Sequence, residues 1–170
     1  MKVKILKLKK DVPMPSRAHE DDLCFDCVAV SEEEVAPNVW KYGLGIALQI
    51  DRDVETMVTS TCYHGGKEKM HLTSLDFARS PLSLSIDARP RSSVWKTGMI
   101  LSNCVGTIDE GYTGEISAVF YHVMPNMPRY RVGDRVCQIK LGTALTMDFV
   151  EVDVLDNTPR GAKGYGSSGR

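Results

Sequence analysis

Short segments in which apolar and polar residues alternate recur along the chain, and they constrain its fold more than any other feature. This period of two is typical of strands that bury one face. The clearest such segments are residues 46–50, 82–86, 137–141 and 150–154. Residues 23–30 and 116–123 are apolar more continuously and predict more fully buried strands. The basic N-terminus also alternates, which predicts a strand. A signal peptide is not expected, because no continuous apolar run follows the basic residues.

Clusters of turn-forming residues separate these segments, and no stretch has a long helical period. The turns are expected at residues 36–38, 65–66, 109–111, 124–128 and 132–134. Many short strands with regular turns indicate an all-β fold, either an antiparallel sandwich, a barrel or a jelly roll.

The 170 residues fit one domain. We expect a single β domain over residues 1–156, with an insertion at about 51–80 that is richer in charge. A short helix is predicted there, near Lys69 to Arg79. From residue 157 the alternation ends, and residues 157–170 form a glycine-rich tail.

Composition narrows the class of function. A formal net charge of -1 argues against an extended nucleic-acid surface, although a small anion needs only a local cluster of donors. No apolar run reaches membrane-spanning length. Five irregularly spaced cysteines favour buried thiols in a reducing cytoplasm over a disulfide framework. The Cys24-x-x-Cys27 spacing leaves zinc or redox chemistry as the alternative.

The last eleven residues combine glycines, cations, hydroxyls and one aromatic ring, Tyr165. A mobile arm that closes over a nucleotide needs this chemistry, because the ring stacks on a base while Arg and hydroxyl groups hold phosphate. A flexible linker is the other interpretation.

Two further motifs carry candidate chemistry. Residues 89–98 follow a strand and combine Arg and Lys with hydroxyls, which suits phosphate binding or, alternatively, a capped surface turn. Residues 103–115 place three glycines around Asp109 and Tyr112 in a predicted hairpin, where backbone can approach a ligand closely. An ordinary Asp-containing turn is the alternative for this segment.

Taken together and in this order, the motifs closely resemble those of the trimeric dUTP diphosphatase (dUTPase) family. The family pattern is Pro-Arg-Ser, then Gly-x-Ile-Asp-x-x-Tyr-x-Gly, then Gly-x-Arg-x-x-Gln, then Arg-Gly-x-x-Gly-aromatic-Gly-Ser. The matching segments are residues 90–92, 106–114, 133–138 and 160–167. Two departures stand out: Cys24 and Ser93 occupy positions where the family usually has glycine.

The resemblance implies a jelly-roll-like distorted β-barrel and hydrolysis of dUTP to dUMP and pyrophosphate, by water attack on the α-phosphorus. This reaction would lower dUTP and supply dUMP for thymidylate synthesis. Asp109 would activate the water and hold the sugar 3′-hydroxyl, with Gln138 assisting at the phosphates. Asp26 would anchor Mg²⁺ through water. The remaining substrate-binding residues implied are Arg91, Ser92, Ser93, Asn103, Gly106, Ile108, Tyr112, Arg160, Tyr165, Ser167 and Ser168.

The resemblance also implies a homotrimer with shared active sites, in which the arm of one subunit closes over a site of its neighbour. The enzymatic alternative is dCTP deaminase, which shares the fold and the Arg-Ser-Ser run. Deaminases place a catalytic Glu on the strand after the hairpin, where Val119 stands here. A regulatory or binding module on the same fold is the non-enzymatic alternative.

Overall fold

The chain is built almost entirely from strands, which confirms the all-β prediction. The computed structural model describes residues 2–52, 56–64, 67–75 and 82–163, and for residues 56–75 the backbone alone. The strands are β1 (Lys2–Lys7), β2 (Phe25–Val28), β3 (Ser31–Ala36), β4 (Val39–Gly43), β5 (Ile46–Asp51), β6 (Thr56–His64), β7 (Lys67–Leu75), β8 (Leu82–Pro90), β9 (Met99–Leu101), β10 (Gly106–Asp109), β11 (Ser117–His122) and β12 (Arg135–Leu145). A short 3-10 turn, η1 (Ser92–Lys96), follows β8.

Two four-stranded antiparallel sheets dominate the fold, in the orders β10-β8-β12-β2 and β3-β4-β11-β9. Their apolar faces join with β5 in one buried cluster. Three aromatic rings, Tyr42, Phe120 and Tyr130, meet edge to face at its centre, with centroids 5.4 to 6.1 Å apart. The Tyr42 hydroxyl donates to the Tyr130 carbonyl at 2.8 Å, so the ring's polar tip has a partner inside the core.

Most of the predicted strands are present. Residues 46–50, 82–86 and 137–141 lie in β5, β8 and β12, and the basic N-terminus forms β1. Two segments predicted as more fully buried instead alternate, because Phe25 and Tyr121 are exposed. Each of the strands that carry them covers the core with one face only.

The strand predicted at residues 150–154 is absent. Val150, Val152 and Val154 are 80%, 56% and 82% exposed, and the segment pairs with no described strand of this chain. Alternation indicates that a segment can bury one face. A strand also needs a neighbouring strand that pairs with its backbone N–H and C=O groups.

The helix predicted near Lys69 to Arg79 is also wrong, as far as the structure describes that segment. Residues 69–75 belong to β7, which pairs with β6 from Thr56↔Leu75 to His64↔Lys67. An unbroken antiparallel ladder satisfies the backbone groups that a helix would have paired internally. Over the described ranges, no helix has the length and apolar character that a membrane crossing requires.

One polar cluster fixes the loop that leads into β12. The Glu32 carboxylate accepts hydrogen bonds from the Arg129 guanidinium at 3.1 Å and from the Val132 amide at 3.2 Å. The same guanidinium lies 3.4 Å over the Trp40 ring. These contacts hold residues 129–132 against the β3–β4 sheet and so set the position from which β12 begins.

This cluster predicts a pH dependence of stability. The hydrogen bond from Arg129 holds the pKa of Glu32 below its ordinary value of 4.5. A carboxylate with a lowered folded-state pKa stabilises the protein above pH 4.5, and that contribution is lost as pH falls through the folded pKa. Glu32→Gln is therefore expected to lower the unfolding free energy at pH 7 by about 1–2 kcal/mol. It should also flatten the loss of stability in acid.

Urea unfolding at a fixed protein concentration, repeated from pH 7 to about pH 3, measures this effect. Glu33→Gln is the matched control, since Glu33 is exposed on the same strand. Equal acid slopes for the Glu32→Gln variant and the wild type would contradict the assignment.

Candidate active site

The first candidate site is a cavity of about 280 Å³ where β2, β12 and the η1 turn meet. Strand register places Asp26 opposite Gln138, and Gln138 opposite Arg89 at the end of β8. Pro90 closes β8 because it has no backbone N–H to continue the ladder. The cavity is lined by Ala18, Asp22, Leu23, Cys24, Asp26, Arg91, Ser92 and Gln138. Four of the predicted site residues are thus together.

Arg91 is held at this cavity by a forked ion pair. Its Nε and Nη2 atoms lie 2.8 and 3.0 Å from the two Asp26 carboxylate oxygens, and the Asp26 side chain is only 13% exposed. Arg135 Nη1 adds a weaker contact at 3.4 Å. The ion pair fixes the orientation of the guanidinium at the cavity wall. Because Asp26 occupies Nε and one hydrogen of Nη2, the remaining Nη hydrogens are the donors that a phosphate could engage.

The neighbouring groups support the same wall. Ser93 Oγ accepts a long hydrogen bond from Arg91 Nη1 at 3.5 Å, while Ser92 is exposed at the cavity. Gln138 Nε2 donates to the Pro90 carbonyl at 3.0 Å, which ties β12 to the start of the turn. The cavity therefore presents hydroxyl, amide and guanidinium groups.

The second candidate site is a cavity of about 230 Å³ at the hairpin that joins β10 to β11. Asp109 ends β10 with an exposed side chain, and the Tyr112 amide donates to the Asp109 carbonyl at 3.0 Å to close the turn. The lining residues are Thr107, Ile108, Asp109, Tyr112, Glu115, Ile116 and Ser117. The predicted base and the predicted sugar-packing ring therefore share one cavity.

Two glycines shape this hairpin. A Cβ on Gly114 would lie 2.5 Å from the Tyr112 hydroxyl, so only glycine lets the tyrosine fold back and donate to the Glu115 carbonyl at 3.0 Å. A Cβ on Gly106 would lie 3.1 Å from Asn103 Nδ2. The predicted Asn103 side chain is thus placed directly against the start of β10.

The two cavities lie at opposite edges of one sheet. Asp109, on edge strand β10, pairs with Ser85 of β8, whereas Asp26, on edge strand β2, pairs with Gln138 opposite Arg89. Three strand spacings and four residues along β8 separate these positions by roughly 19 Å. The sheet of one chain therefore does not bring Asp109 to Asp26.

The C-terminal tail is described only as far as residue 163. Arg160 is exposed and its Nε donates to the Lys163 carbonyl at 3.1 Å, and it lines neither cavity. The predicted residues Tyr165, Ser167 and Ser168 lie outside the described residues.

The alternative of a cysteine metal site has no support in the described part of the chain. No group of three or more His, Cys, Asp or Glu side chains is close enough to hold a metal there. Cys27 is buried and lies directly opposite Cys137 on β12. The hydrogen bond with Cys137, together with burial, raises the pKa of Cys27, which keeps this thiol protonated.

The sequence prediction missed several contacts. Arg135 reaches Asp26, although its motif was recognised and no role was given to it. Thr107 lines the hairpin cavity beside Asp109, and the period of two on β10 could have identified it, since the two residues share a face. Arg52 pairs with Glu110, which lies far from it in the chain, so no local sequence pattern predicts this contact.

The known proteins that this chain resembles in sequence are dUTPases. The dUTPase family model matches residues 67–169. A deoxyuridine 5'-triphosphate nucleotidohydrolase of Corynebacterium glutamicum is 31% identical over 99% of this chain and 95% of its own length. The corresponding Nocardia farcinica protein is 31% identical over 98% and 85%.

Solved structures agree in fold. The dUTPase of Staphylococcus bacteriophage 80alpha, solved with dUPNHPP, superposes with a TM-score of 0.70 at 18% identity and covers 99% of both chains. A mutant dUTPase of S. aureus phage phi11, solved to show coordination of a structural Mg(II) ion, has a TM-score of 0.61 at 14% identity over 92% of this chain. The sequence matches over nearly the whole length, and this shared fold, show that the chain belongs to the dUTPase family.

Proposed function

We propose that the chain hydrolyses dUTP to dUMP and pyrophosphate by in-line attack of water on the α-phosphorus. The observation that carries the proposal is the division of its chemistry between two cavities. One presents the guanidinium, hydroxyl and amide groups that suit a triphosphate, and the other presents an exposed carboxylate beside a tyrosine ring. The names of the curated relatives describe the same reaction for those proteins.

The phosphate-binding half acts by orientation and charge. Arg91 offers a guanidinium whose orientation Asp26 fixes, and Ser92 and Ser93 add hydroxyl donors at the turn. Gln138 lines the same cavity, where its amide contacts the phosphates. Phosphoryl-transfer chemistry depends mostly on positioning and on stabilisation of developing charge, which these groups supply.

The hairpin half recognises the nucleoside and activates water. Asp109 accepts the proton of the attacking water and holds the sugar 3′-hydroxyl. The Tyr112 ring packs under the deoxyribose and leaves no room for a 2′-hydroxyl. Asn103 and the backbone from Gly106 through Ile108 to the turn read the edge of uracil.

The donor set at Asp26 fits Mg²⁺ bound through water. Both Asp26 oxygens already accept hydrogen bonds from Arg91, so the carboxylate has a fixed orientation at the cavity, and its remaining lone pairs can accept hydrogen bonds from metal-bound water. Mg²⁺ keeps several waters and is bound through one or two carboxylates together with substrate phosphates. When bound, it would neutralise charge on the triphosphate.

We propose that the working assembly is a homotrimer with three shared sites. Asp109 and Asp26 of one chain lie roughly 19 Å apart on the sheet, whereas both must act near one α-phosphorus. A second copy that supplies the hairpin resolves this separation. Burial against another copy also accounts for the exposed apolar side chains Leu145, Met147, Phe149, Val150, Val152, Val154 and Leu155.

The tail completes the site in this proposal. Residues 1–156 form the β domain with its insertion at about 51–80, and residues 157–170 form an arm that closes over a neighbour's site. Arg160, Ser167 and Ser168 would hold the terminal phosphate, and Tyr165 would stack on uracil, an interaction of roughly 1–3 kcal/mol. Closure of the arm would exclude water and complete the catalytic arrangement.

Product analysis tests the reaction itself. The protein is incubated separately with dUTP, dCTP, dTTP and UTP in the presence of Mg²⁺, and products are separated by ion-pair chromatography. We expect dUTP alone to be consumed, with dUMP and pyrophosphate formed in equal amounts. Conversion of dCTP to a uracil nucleotide would instead identify a deaminase, despite Val119 at the position of the expected Glu on β11. Consumption of none of the four would leave a binding role.

A further inference from the structure

One guanidinium joins the catalytic hairpin to both ends of the segment between β5 and β8. Arg52 forms a forked contact with Glu110, in which Nε pairs with Oε1 and Nη2 lies 2.6 Å from Oε2. Nη2 also donates to the Leu82 carbonyl at 3.0 Å. Arg52 directly precedes residues 53–81 and Leu82 directly follows them, so the two residues that flank this segment are held together at the hairpin.

Glu110 occupies the centre of the turn that carries the proposed chemistry. Glu110 directly follows Asp109 and is two residues before Tyr112. It therefore lies inside the turn that the hydrogen bond from the Tyr112 amide to the Asp109 carbonyl closes. A side chain anchored at this position limits how far the turn can rotate. The flanking Asp109 and Tyr112 side chains both line the hairpin cavity.

The contact differs from an ordinary surface ion pair. Its two side chains are 25% and 31% exposed, and the forked geometry fixes both partners. Hydrogen bonding between them lowers the pKa of Glu110 and raises that of Arg52. The forked contact with Glu110 and the hydrogen bond to the Leu82 carbonyl together brace the turn.

We propose that Arg52 and Glu110 are positioning residues that set the placement of Asp109 and Tyr112, and with it the turnover and nucleotide selectivity of the hairpin. This inference rests on the proposed dUTP hydrolysis. Neither residue contacts substrate in the proposal, and both act through the backbone of the turn. Arg52 and Leu82, which flank residues 53–81, are thereby held at the catalytic hairpin.

The test is a double-mutant cycle of Arg52→Gln, Glu110→Gln and the double variant, with kcat and KM measured for dUTP and for dCTP. A displaced turn is expected to lower kcat/KM for dUTP by about 10- to 100-fold. The preference for dUTP over dCTP should narrow, and the double variant should be no worse than either single variant. Arg52→Lys keeps the charge but cannot form the forked contact, so its loss of kcat/KM for dUTP should be smaller than that of Arg52→Gln.

Lys4→Gln is the matched control, because it breaks a neighbouring ion pair, Lys4 with Asp51, away from the hairpin. It should leave kcat and nucleotide preference unchanged. Thermal unfolding of each variant separates loss of fold from misplacement of the turn. Unchanged kcat and dUTP-to-dCTP preference in the Arg52 and Glu110 variants, with only a lower Tm, would overturn the positioning role. Absence of dUTP hydrolysis by the wild type would overturn the proposed function and this inference together.

Discussion

Asp109→Asn is expected to lower kcat for dUTP hydrolysis by on the order of 100- to 10,000-fold. Asparagine matches aspartate in size but cannot accept the proton of the attacking water. Asp109 is exposed in the hairpin cavity, and within the described residues its carboxylate takes part in no hydrogen bond or ion pair that the substitution would break. The variant should therefore fold normally and still bind dUTP.

Steady-state kinetics and isothermal titration with a non-hydrolysable dUTP analogue separate these two effects. Asp11→Asn serves as the matched control, because Asp11 is an exposed carboxylate on the turn after β1. Its kcat should equal that of the wild type. An Asp109→Asn protein that retained most of the wild-type kcat would show that another group activates the water.

Arg91→Ala is expected to weaken kcat/KM for dUTP by about 10- to 100-fold, the loss that follows from removing a hydrogen-bonding partner of a charged group. The substitution removes the guanidinium that Asp26 holds at the cavity where the phosphates are proposed to bind. It also leaves Asp26 beside Arg135 as its remaining cationic partner in the described part of the chain. Asp26 would then lose the contact that fixes its orientation toward Mg²⁺.

Arg91→Lys distinguishes charge from geometry. Lysine restores a point charge but not two parallel donors, so we expect recovery of only part of the lost kcat/KM. The concentration of Mg²⁺ that supports half-maximal activity should rise in Arg91→Ala. Full activity in Arg91→Lys would mean that the forked geometry seen with Asp26 has no role in phosphate binding.

Sequence patterns predicted those strands and site segments whose structure depends on residues close together in the chain. Period-two alternation located β5, β8 and β12, because each buries one face against the common core. The Pro90-Arg91-Ser92 and Gly106-to-Gly114 motifs located the two cavities, since glycine spacing and charged side chains are visible in the chain itself. The grouping of Asp26 with Gln138 depends on strand register, which no local pattern predicts. The family resemblance implied only that both residues act at the triphosphate.

The features that the sequence did not predict correctly depend on contacts between residues far apart in the chain. Val150 to Val154 alternate like a strand but find no partner within the described chain, and periodicity does not reveal whether a buried face belongs to another copy. The 69–75 segment was predicted as part of a helix, whereas pairing with β6 makes it a strand. The Arg52–Glu110 brace joins residues 58 positions apart, which no local pattern records.

The central claim is that dUTP is hydrolysed at sites built from different copies of the chain, and mixing two impaired variants tests it most directly. Asp109→Asn and Arg91→Ala proteins are combined in equal amounts, unfolded, refolded together, and assayed for conversion of dUTP to dUMP. A site that draws Arg91 from one copy and Asp109 from another regains both groups in about a quarter of random assemblies, so activity should return to about a quarter of the wild-type rate. Activity that stayed at the average of the two separate variants would contradict shared sites and place the whole reaction within one chain.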